Sequence, residues 1–228
     1  MGLIIDDLAK IIRKHQKTLP CVEPLDVDDK FEKVYKETED GNLNIHNEMF
    51  SCTGLRKVHL EIATLGPLDI LHCIWYPDPE FNLPIFGADI VANNNNVSAA
   101  ITDISPVDGI GHLIYDDIAD ISRFFSFENN RDVPSWGNIF SPYCKFASLR
   151  TDDERNTFCR VVDQYLDVYA GAVWRSDRDN YGADLRYDGQ IQYCKNQKLN
   201  DKTRRILAKY FGDVWANDYI NQILFDEP

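Results

Sequence analysis

Apolar and polar side chains alternate with a period of two through the second quarter of the chain, which is typical of β-strands. In the stretch KVHLEIA, Val58, Leu60 and Ile62 share one face, which leaves His59 and Glu61 on the other. Three more segments of similar composition follow. The pattern therefore predicts four strands, over residues 57–63, 69–76, 84–92 and 97–104.

Turn-forming residues connect these strands. Gly66-Pro67 lies in the first joint, the second covers residues 77–84, and the third is a run of asparagines at residues 93–96. Such short joints connect antiparallel neighbours, so the four strands are predicted to form a meander. Asp40-Gly41 predicts a further hairpin upstream.

Helical periodicity replaces the alternation near both ends of the chain. The first 15 residues form an amphipathic helix whose inward positions are Leu3, Ile4, Leu8, Ile11 and Ile12. Residues 151–174 begin with a Thr/Asp cap signal and carry an apolar stripe through Phe158, Val161, Val162, Tyr165 and Val168. Residues 200–225 begin with an Asn or Asp cap and are predicted to form one helix. Its inward-facing side chains are Ile206, Leu207, Tyr210, Phe211 and Val214.

The strand LPIFGADIVA is apolar on both faces, so the sheet is predicted to be covered on both sides. Layer packing then gives an α/β protein, a three-layer α/β/α sandwich with a central antiparallel sheet flanked by helices. No Ser/Gly-rich linker divides the chain, which predicts a single domain over residues 1–228.

Composition narrows the class of protein. No apolar run reaches the roughly 18 residues of a membrane helix, and the N-terminus lacks the layout of a secretion signal. The six cysteines include no close pair, so they are expected to be reduced thiols in the cytoplasm rather than cluster or zinc ligands. No Gly-rich dinucleotide fingerprint and no phosphate-binding loop is present.

The charge of the chain is uneven. A net charge of −13 argues against general nucleic-acid binding. Residues 195–209 nevertheless hold six basic residues and one acidic residue. This basic island indicates either an anionic partner or a solvated helix face, and charge by itself does not separate the two.

Register brings the polar residues of the strands together. A hairpin centred on the Gly-Pro turn pairs Glu61 with His72, and the register assumed for the next hairpin pairs His72 with Asp89. His59, Glu61, His72 and Asp89 then share one sheet face. A third hairpin centred on the Asn run would pair Asp89 with Ala100, and Val91 with Ser98.

Four titratable groups on a mostly apolar face cost several kcal/mol to bury unless they share protons and hydrogen bonds. Such a cluster has the character either of a metal site, with His59, Glu61 and His72 as ligands, or of a proton-transfer site.

Seven segments carry a more specific signal: RKVHLEIA, LHCIWYP, LPIFGADIV, VSAAITDISPV, VPSWGNIFS, GQIQYC and NDKTRRILAKYFG. From residue 55 to the C-terminus the chain resembles the ferredoxin-dependent bilin reductases. The resemblance implies an α/β/α sandwich that binds biliverdin IXα between the sheet and the C-terminal helices. It also implies that no cofactor is tightly bound, that no metal is held, and that electrons come from a transiently bound, reduced [2Fe-2S] ferredoxin.

The resemblance also assigns roles to the polar cluster. Asp89 is similar to the central carboxylate that contacts the pyrrole nitrogens and donates protons. His72 resembles its partner near the bilin lactam, His59 resembles a second histidine linked through water, and Glu61 resembles the acid at the D-ring vinyl group. Asp201 resembles a further catalytic acid that, with Asn200, closes over the pigment.

Other positions match the family's pocket. Arg131 and Lys202 resemble the propionate anchors. Tyr193, Ser98, Gln197 and Ile206 match residues that line the pocket, although plain core packing explains Tyr193 and Ile206 equally well. Within the basic island, helical spacing puts three cations on one face, a predicted docking site for acidic ferredoxin: Lys202, Arg205 and Lys209.

The implied activity is a four-electron reduction of biliverdin IXα to phycocyanobilin by a monomer, first at the D-ring vinyl group and then at the A-ring. The combination of Glu61 with His72 favours this product within the family. The alternatives are a related reductase that gives phycoerythrobilin or dihydrobiliverdin, and a bilin carrier or lyase without reductase activity.

Overall fold

The computed structural model describes residues 4–94, 96–108 and 114–228, in which an eight-stranded antiparallel sheet lies between two layers of helices. Its strand order is β1-β3-β4-β5-β6-β7-β8, with β2 paired to β3. The strands are β1 Glu23–Pro24, β2 Lys33–Thr38, β3 Gly41–Cys52, β4 Leu55–Leu65, β5 Leu68–Pro77, β6 Ile85–Asn93, β7 Asn96–Ser105 and β8 Lys145–Leu149. The predicted meander is therefore β4 to β7, and the Asp40-Gly41 hairpin joins β2 to β3.

Helices precede and follow this sheet. They are α1 Ile4–Gln16, α2 Asp29–Glu32, α3 Ile114–Arg123, α4 Asp152–Arg175, α5 Ala183–Gln197, α6 Asp201–Phe211 and α7 Asp213–Tyr219. A 3-10 turn covers Gly137–Ile139, and a π-helical turn, Ile220–Leu224, extends α7. Within the described ranges, no helix combines the length and apolar character needed to cross a bilayer.

The two faces of the sheet bury different helices, which confirms the α/β/α prediction. On one face, Leu60, Trp75 and Phe86 pack with α1 and α4 in a large apolar core. On the other face, α6 and α7 cover the β3–β4 side of the sheet and α5 covers the β5–β6 side. We call this second face the polar face, because the four titratable residues lie on it.

The helices predicted at the N-terminus and after residue 151 are confirmed as α1 and α4. Ile4, Leu8 and Ile12 are buried and Ile11 is partly buried, whereas Leu3 lies outside the described residues. Helix α4 begins at a capping box in which Thr151 and Glu154 bond each other's backbone N–H groups.

Two hairpin registers are confirmed and one is wrong. Glu61 pairs with His72, and His72 with Asp89. In the third hairpin Asp89 pairs with Ile101 instead of Ala100, and Val91 with Ala99 instead of Ser98. The reason is a β-bulge: Ser98 is an extra residue in β7, so the pairing shifts by one beyond it.

The predicted single C-terminal helix is also wrong, because it ends at Gly212. That residue has φ 86° and ψ 161°, a conformation that favours glycine and separates α6 from α7. The change of direction turns Val214 to solvent with 77% exposure, and Ile206 is 39% exposed. These two side chains therefore lie outside the core, contrary to the prediction from periodicity, while Leu207 is buried.

Candidate functional site

Three adjacent strands place four titratable side chains side by side on the polar face. His59 and Glu61 come from β4, His72 from β5 and Asp89 from β6. Because directly paired residues point to the same side of a sheet, the two confirmed registers bring all four together. The rings of His59 and His72 meet edge to face, with centroids 5.7 Å apart.

His72 and Asp89 form a hydrogen-bonded pair. His72 Nδ1 lies 2.5 Å from Asp89 Oδ1. Burial lowers the pKa of His72, but the charge and hydrogen bond of Asp89 and the charge of Glu61 outweigh it, so the net shift is upward. The pair thus joins a histidine of raised pKa to an aspartate whose side chain is 39% exposed. It forms the accessible part of the cluster.

Glu61 is buried beneath α7. Its side chain accepts a short hydrogen bond from the hydroxyl of Tyr219. Burial raises the pKa of Glu61 above its ordinary value, against the opposing effects of His72 and Tyr219. Glu61 therefore holds a proton more readily than an exposed carboxyl does, as a proton donor requires.

His59 has the opposite proton affinity. It is fully buried, and burial, with the positive charge of Lys57, holds its pKa well below the ordinary value. Its Nε2 lies 2.8 Å from the side-chain oxygen of Asn47. The neighbouring rings of His59 and His72 thus differ in proton affinity, because the pKa of His59 is lowered and that of His72 is raised.

The four side chains of the cluster are not spaced as ligands of a single metal ion. Within residues 4–94, 96–108 and 114–228, no group of three His, Cys, Asp or Glu side chains is arranged to hold a metal ion. In the same ranges, His59 Nδ1 and His72 Nε2 are buried without a hydrogen-bond partner. One proton-poor and one proton-rich nitrogen therefore remain available inside the site.

Helix α5 supplies two of the predicted pocket residues. Tyr193 is buried on the polar face, where it packs near Gly87, the residue two positions before Asp89. The Gln197 side chain donates a 2.9 Å hydrogen bond to the Tyr193 hydroxyl. Both residues therefore lie on the side of the sheet that carries the cluster.

Ser98 and Arg131 meet at the β7 bulge. The guanidinium of Arg131 donates a 2.7 Å hydrogen bond to the carbonyl oxygen of Ser98 and lies 4.6 Å from the centre of the Phe146 ring. Arg131 is exposed at the end of the sheet. An exposed guanidinium held in this way presents a fixed positive charge to an anionic group.

The remaining predicted residues lie at the start of α6. Asn200, Asp201, Lys202 and Ile206 are all exposed to solvent instead of being buried with the four titratable groups. Asp201 pairs with Arg205 at 3.1 Å. These residues form a rim next to the polar face.

The predicted docking cations are partly neutralised. Besides the Arg205 pair, Lys209 bonds to Asp40 at 2.5 Å and lies 3.4 Å from Glu39, both in the β2–β3 turn. Those acidic partners raise the pKa of Lys209. The turn thus ties the end of α6 to the sheet, a contact that the sequence did not reveal.

The C-terminal segment holds residues that sequence reasoning missed. Asp226 accepts hydrogen bonds from Lys57 and Arg56 of β4, and Lys57 also donates to the carbonyl oxygen of Ile223. Burial lowers the pKa of Lys57 to about 8. The Phe225 ring lies edge to face on His72, with centroids 5.7 Å apart. The end of the chain therefore covers part of the site.

Asn47 and Tyr219 were missed as well. Asn47 pairs with Glu61 across β3 and β4, so its side chain joins the polar face. The register of this hairpin was the one signal that could have identified it. Tyr219 offered no signal, because only the packing of α7 brings it to Glu61.

Comparison with known proteins gives consistent relatives. Residues 9–226 match the family model of ferredoxin-dependent bilin reductases. A phycocyanobilin:ferredoxin oxidoreductase of Synechococcus sp. (strain CC9902) is 43% identical, over 99% of this chain and 93% of the relative. One from Prochlorococcus marinus (strain MIT 9515) is 39% identical, over 98% and 94%. The crystal structure of tomato phytochromobilin synthase with biliverdin has the same fold, with a TM-score of 0.81 at 17% identity over 96% of this chain and 82% of that one.

Proposed function

This chain belongs to the ferredoxin-dependent bilin reductases, and from that membership we propose that it reduces biliverdin IXα to phycocyanobilin. Four electrons come from reduced ferredoxin, and the protein supplies the protons. The relatives that it matches over nearly their full length carry this activity in their names.

One observation carries the proposal: a sheet face that is mostly apolar holds four titratable groups of contrasting proton affinity. The Asp89–His72 pair is accessible and proton-rich, so we assign it to protonation of the pyrrole system during the one-electron steps. Glu61 is buried with a raised pKa, so we assign it to the D-ring vinyl group. His59, neutral and buried, accepts a proton between these steps.

We propose that the pigment binds between the polar face and α5–α6. Biliverdin is flat and largely apolar, with two propionates, and it needs an apolar slot with cations at one edge. We propose Arg131 and Lys202 as the propionate anchors, since both are exposed cations. The remaining proposed contacts are Tyr193, Gln197, Ser98, Ile206, Asn200 and Asp201.

Two other functions compete. A related reductase with a different product would use the same fold, and a bilin carrier or lyase would use the same slot. A carrier has no need of a buried carboxyl with raised pKa next to a buried histidine, since burying titratable groups costs desolvation energy. This cluster therefore favours a reductase over a bilin carrier or lyase.

A single-turnover assay tests the proposal. We expect the colourless protein to bind biliverdin stoichiometrically and, with reduced ferredoxin, to convert it to phycocyanobilin as identified by chromatography. Glu61→Gln keeps the side-chain shape but has no proton to give, so it should reduce the A-ring and leave the D-ring vinyl group intact. Full phycocyanobilin yield from this variant would remove Glu61 from the mechanism.

We also propose that one chain acts alone, in the cytoplasm. All four titratable groups and both pocket-lining helices come from a single copy. The six cysteines are free thiols in the structure, and two of them, Cys73 and Cys194, are buried, in keeping with a reducing compartment. Light scattering on the ferredoxin-free protein, with and without biliverdin, should report a monomer.

A further inference from the structure

Asn47 sits at the centre of a buried hydrogen-bond network below the four titratable groups. It is 3% exposed. Its Nδ2 lies 2.7 Å from the carbonyl oxygen of Phe31 and 2.9 Å from the hydroxyl of Tyr219. Its Oδ1 lies 2.8 Å from His59 Nε2. One amide thus contacts three elements of the fold.

Hydrogen-bond chemistry allows a single orientation of this amide. The carbonyl oxygen of Phe31 can only accept, so the group that faces it must be the NH2 group of Asn47. The amide oxygen therefore faces His59, and the proton in that hydrogen bond must sit on His59 Nε2. Because burial keeps His59 neutral, its Nδ1 carries a lone pair.

Tyr219 continues the network to Glu61 in the same directional way. The Tyr219 hydroxyl donates to Glu61 Oε2, which can accept whether it belongs to a carboxylate or is the carbonyl oxygen of a protonated carboxyl; this contact is shorter than the 3.1 Å from the hydroxyl to Asn47 Oδ1. The phenol oxygen is then free to accept from the second N–H of Asn47. The Tyr219 ring is held independently of its hydroxyl, stacked on Trp215 with centroids 4.9 Å apart and edge-on to Phe31 at 5.5 Å.

From this network we propose that Asn47 and Tyr219 are positioning residues that determine which atoms of His59 and Glu61 exchange protons with the substrate. His59 presents the bare Nδ1 as an acceptor. Glu61 carries its transferable proton on Oε1, because Oε2 is occupied by Tyr219. The inference rests on the proposed function for its kinetic consequences, but its structural content holds for the protein without substrate.

The tautomer of His59 is the first test. Imidazole 15N chemical shifts in the ligand-free protein, assigned with His59→Gln, should show the neutral form protonated on Nε2. Asn47→Leu removes the acceptor and should give a mixture of tautomers. Asn47→Asp places a carboxylate beside Nε2 and should yield the doubly protonated ring.

A wild-type ring protonated on Nδ1 would overturn the proposal, and so would an Asn47→Leu spectrum identical to wild type. The wild-type measurement identifies the protonated nitrogen of His59 even if an Asn47 variant fails to fold. It needs no turnover, so it stays informative if biliverdin is not the substrate.

The second test removes the Tyr219 hydroxyl. Tyr219→Phe keeps the stacked ring, and Tyr169→Phe is the matched control, because Tyr169 is a buried tyrosine whose hydroxyl bonds the Pro84 carbonyl oxygen on the opposite face of the sheet. Loss of a hydrogen bond to a carboxylate should slow D-ring reduction about tenfold or more, with little change in KM and with accumulation of the vinyl-containing intermediate. An equal slowing in both variants would mean a merely structural role.

Infrared spectroscopy separates this result from a failure of the proposed function. Glu61 faces His72 from β5, Asp89 from β6 and Tyr219 from α7. Without the phenol donor, its charged form loses stabilisation, so the carboxylic C=O band of Glu61, assigned with Glu61→Gln, should persist to higher pH in Tyr219→Phe than in Tyr169→Phe. The same titration of the band in both variants would refute the assignment of Tyr219.

Discussion

Burial gives neighbouring side chains of the polar face opposite affinities for protons. The pKa of His59 is lowered because nothing offsets its desolvation, whereas the pKa of His72 is raised because Asp89 lies 2.5 Å away. Burial raises the pKa of the Glu61 carboxyl, and the opposing effects of His72 and Tyr219 do not cancel that rise. Three ordinary side chains thereby become an acceptor and two donors.

Asp89→Asn should lower the pKa of His72, because it removes the negative charge that outweighs burial. The remaining groups that face His72 are Glu61, which raises its pKa, and Lys57, which lowers it. NMR titration of the His72 ring in the ligand-free protein measures the change, with Asp69→Asn on the same strand as the control. An unchanged His72 pKa would show that the pair does not couple protonation.

The same substitution has a consequence for stability. A histidine whose folded pKa exceeds its unfolded value stabilises the fold fully below the unfolded pKa, about 6.5, and loses that contribution as pH rises through the folded pKa. The stability lost in Asp89→Asn should therefore be largest in mildly acidic buffer and should shrink as the pH rises.

In turnover assays the Asp89→Asn variant should still bind pigment, and reduction should stall after the first electron as a bilin radical.

At the scale of elements, α5 makes an unusually close backbone approach to the segment that follows β7. A Cβ added to Gly189 would stand 1.4 Å from the carbonyl oxygen of Val107. No side chain fits there, so glycine is what allows Tyr193, one turn later in the helix, to lie near Gly87.

Gly189→Ala should therefore push α5 from the sheet, destabilise the fold and weaken biliverdin binding. Gly171→Ala in α4 is the matched control, because the nearest atom to its added Cβ is the flexible end of Arg175, at 3.1 Å. Alanine favours a helix over glycine by about 1 kcal/mol, so the control should be neutral or stabilising. Denaturant unfolding measures the stability of the two variants, and pigment titration measures their affinity for biliverdin. Equal stability and equal affinity in both variants would contradict the close approach of α5.

The C-terminal segment depends on one carboxylate. Asp226→Ala leaves Lys57 buried without its counter-charge, which should destabilise the protein by about 3 kcal/mol or more. Replacing Lys57 by Met in the same chain removes the orphaned charge, so the double variant should recover much of that loss. The double-mutant cycle is measured by denaturant unfolding, and additive losses would show that the two side chains act independently.

At the scale of the whole molecule, the distribution of charge determines where an electron donor can dock. A protein of net charge −13 repels acidic ferredoxin, so docking needs a local positive surface. The predicted face of α6 supplies a positive surface, but a smaller one than the sequence indicated. Lys209 forms an ion pair with Asp40 of the β2–β3 turn, which leaves Lys202 and Arg205 as the exposed cations of that face. We propose this face as the docking site.

Arg205→Glu should slow ferredoxin-dependent turnover several-fold at low salt and leave biliverdin affinity nearly unchanged. The effect should fade as salt screens charges over about 8 Å at physiological ionic strength. Arg178→Glu is the control, since Arg178 is also an exposed arginine paired with a carboxylate, on the loop before α5. Equal slowing in both would indicate a net-charge effect, and no slowing in Arg205→Glu would place ferredoxin elsewhere. Lys209→Glu is less informative, because it also breaks the contact with Asp40.

How far the sequence predicts the site depends on the range of the interactions involved. Glu61, His72 and Asp89 could be paired from the sequence because strand alternation and a tight turn are local signals that extend across a hairpin. The Ser98 bulge escaped the same reasoning, since one extra residue leaves the alternation on either side intact. Helix α5 also escaped it: its buried face carries polar groups, such as Gln190 and Asn196, in place of an apolar stripe.

By itself, the sequence determined the meander, the layers, the shared face of the four titratable groups and, through its motifs, the family. These features rest on periodicity, turn chemistry and local residue patterns. Only the tertiary structure decided that Gly212 divides the last helix, that Tyr219 meets Glu61 and that Asp226 meets Lys57. Those partners are more than 150 positions apart, and they meet because α7 and the C-terminal segment bury their apolar sides on the sheet. The proton affinities follow from that burial, because desolvation depends on what surrounds a group in space and not on its neighbours in the chain.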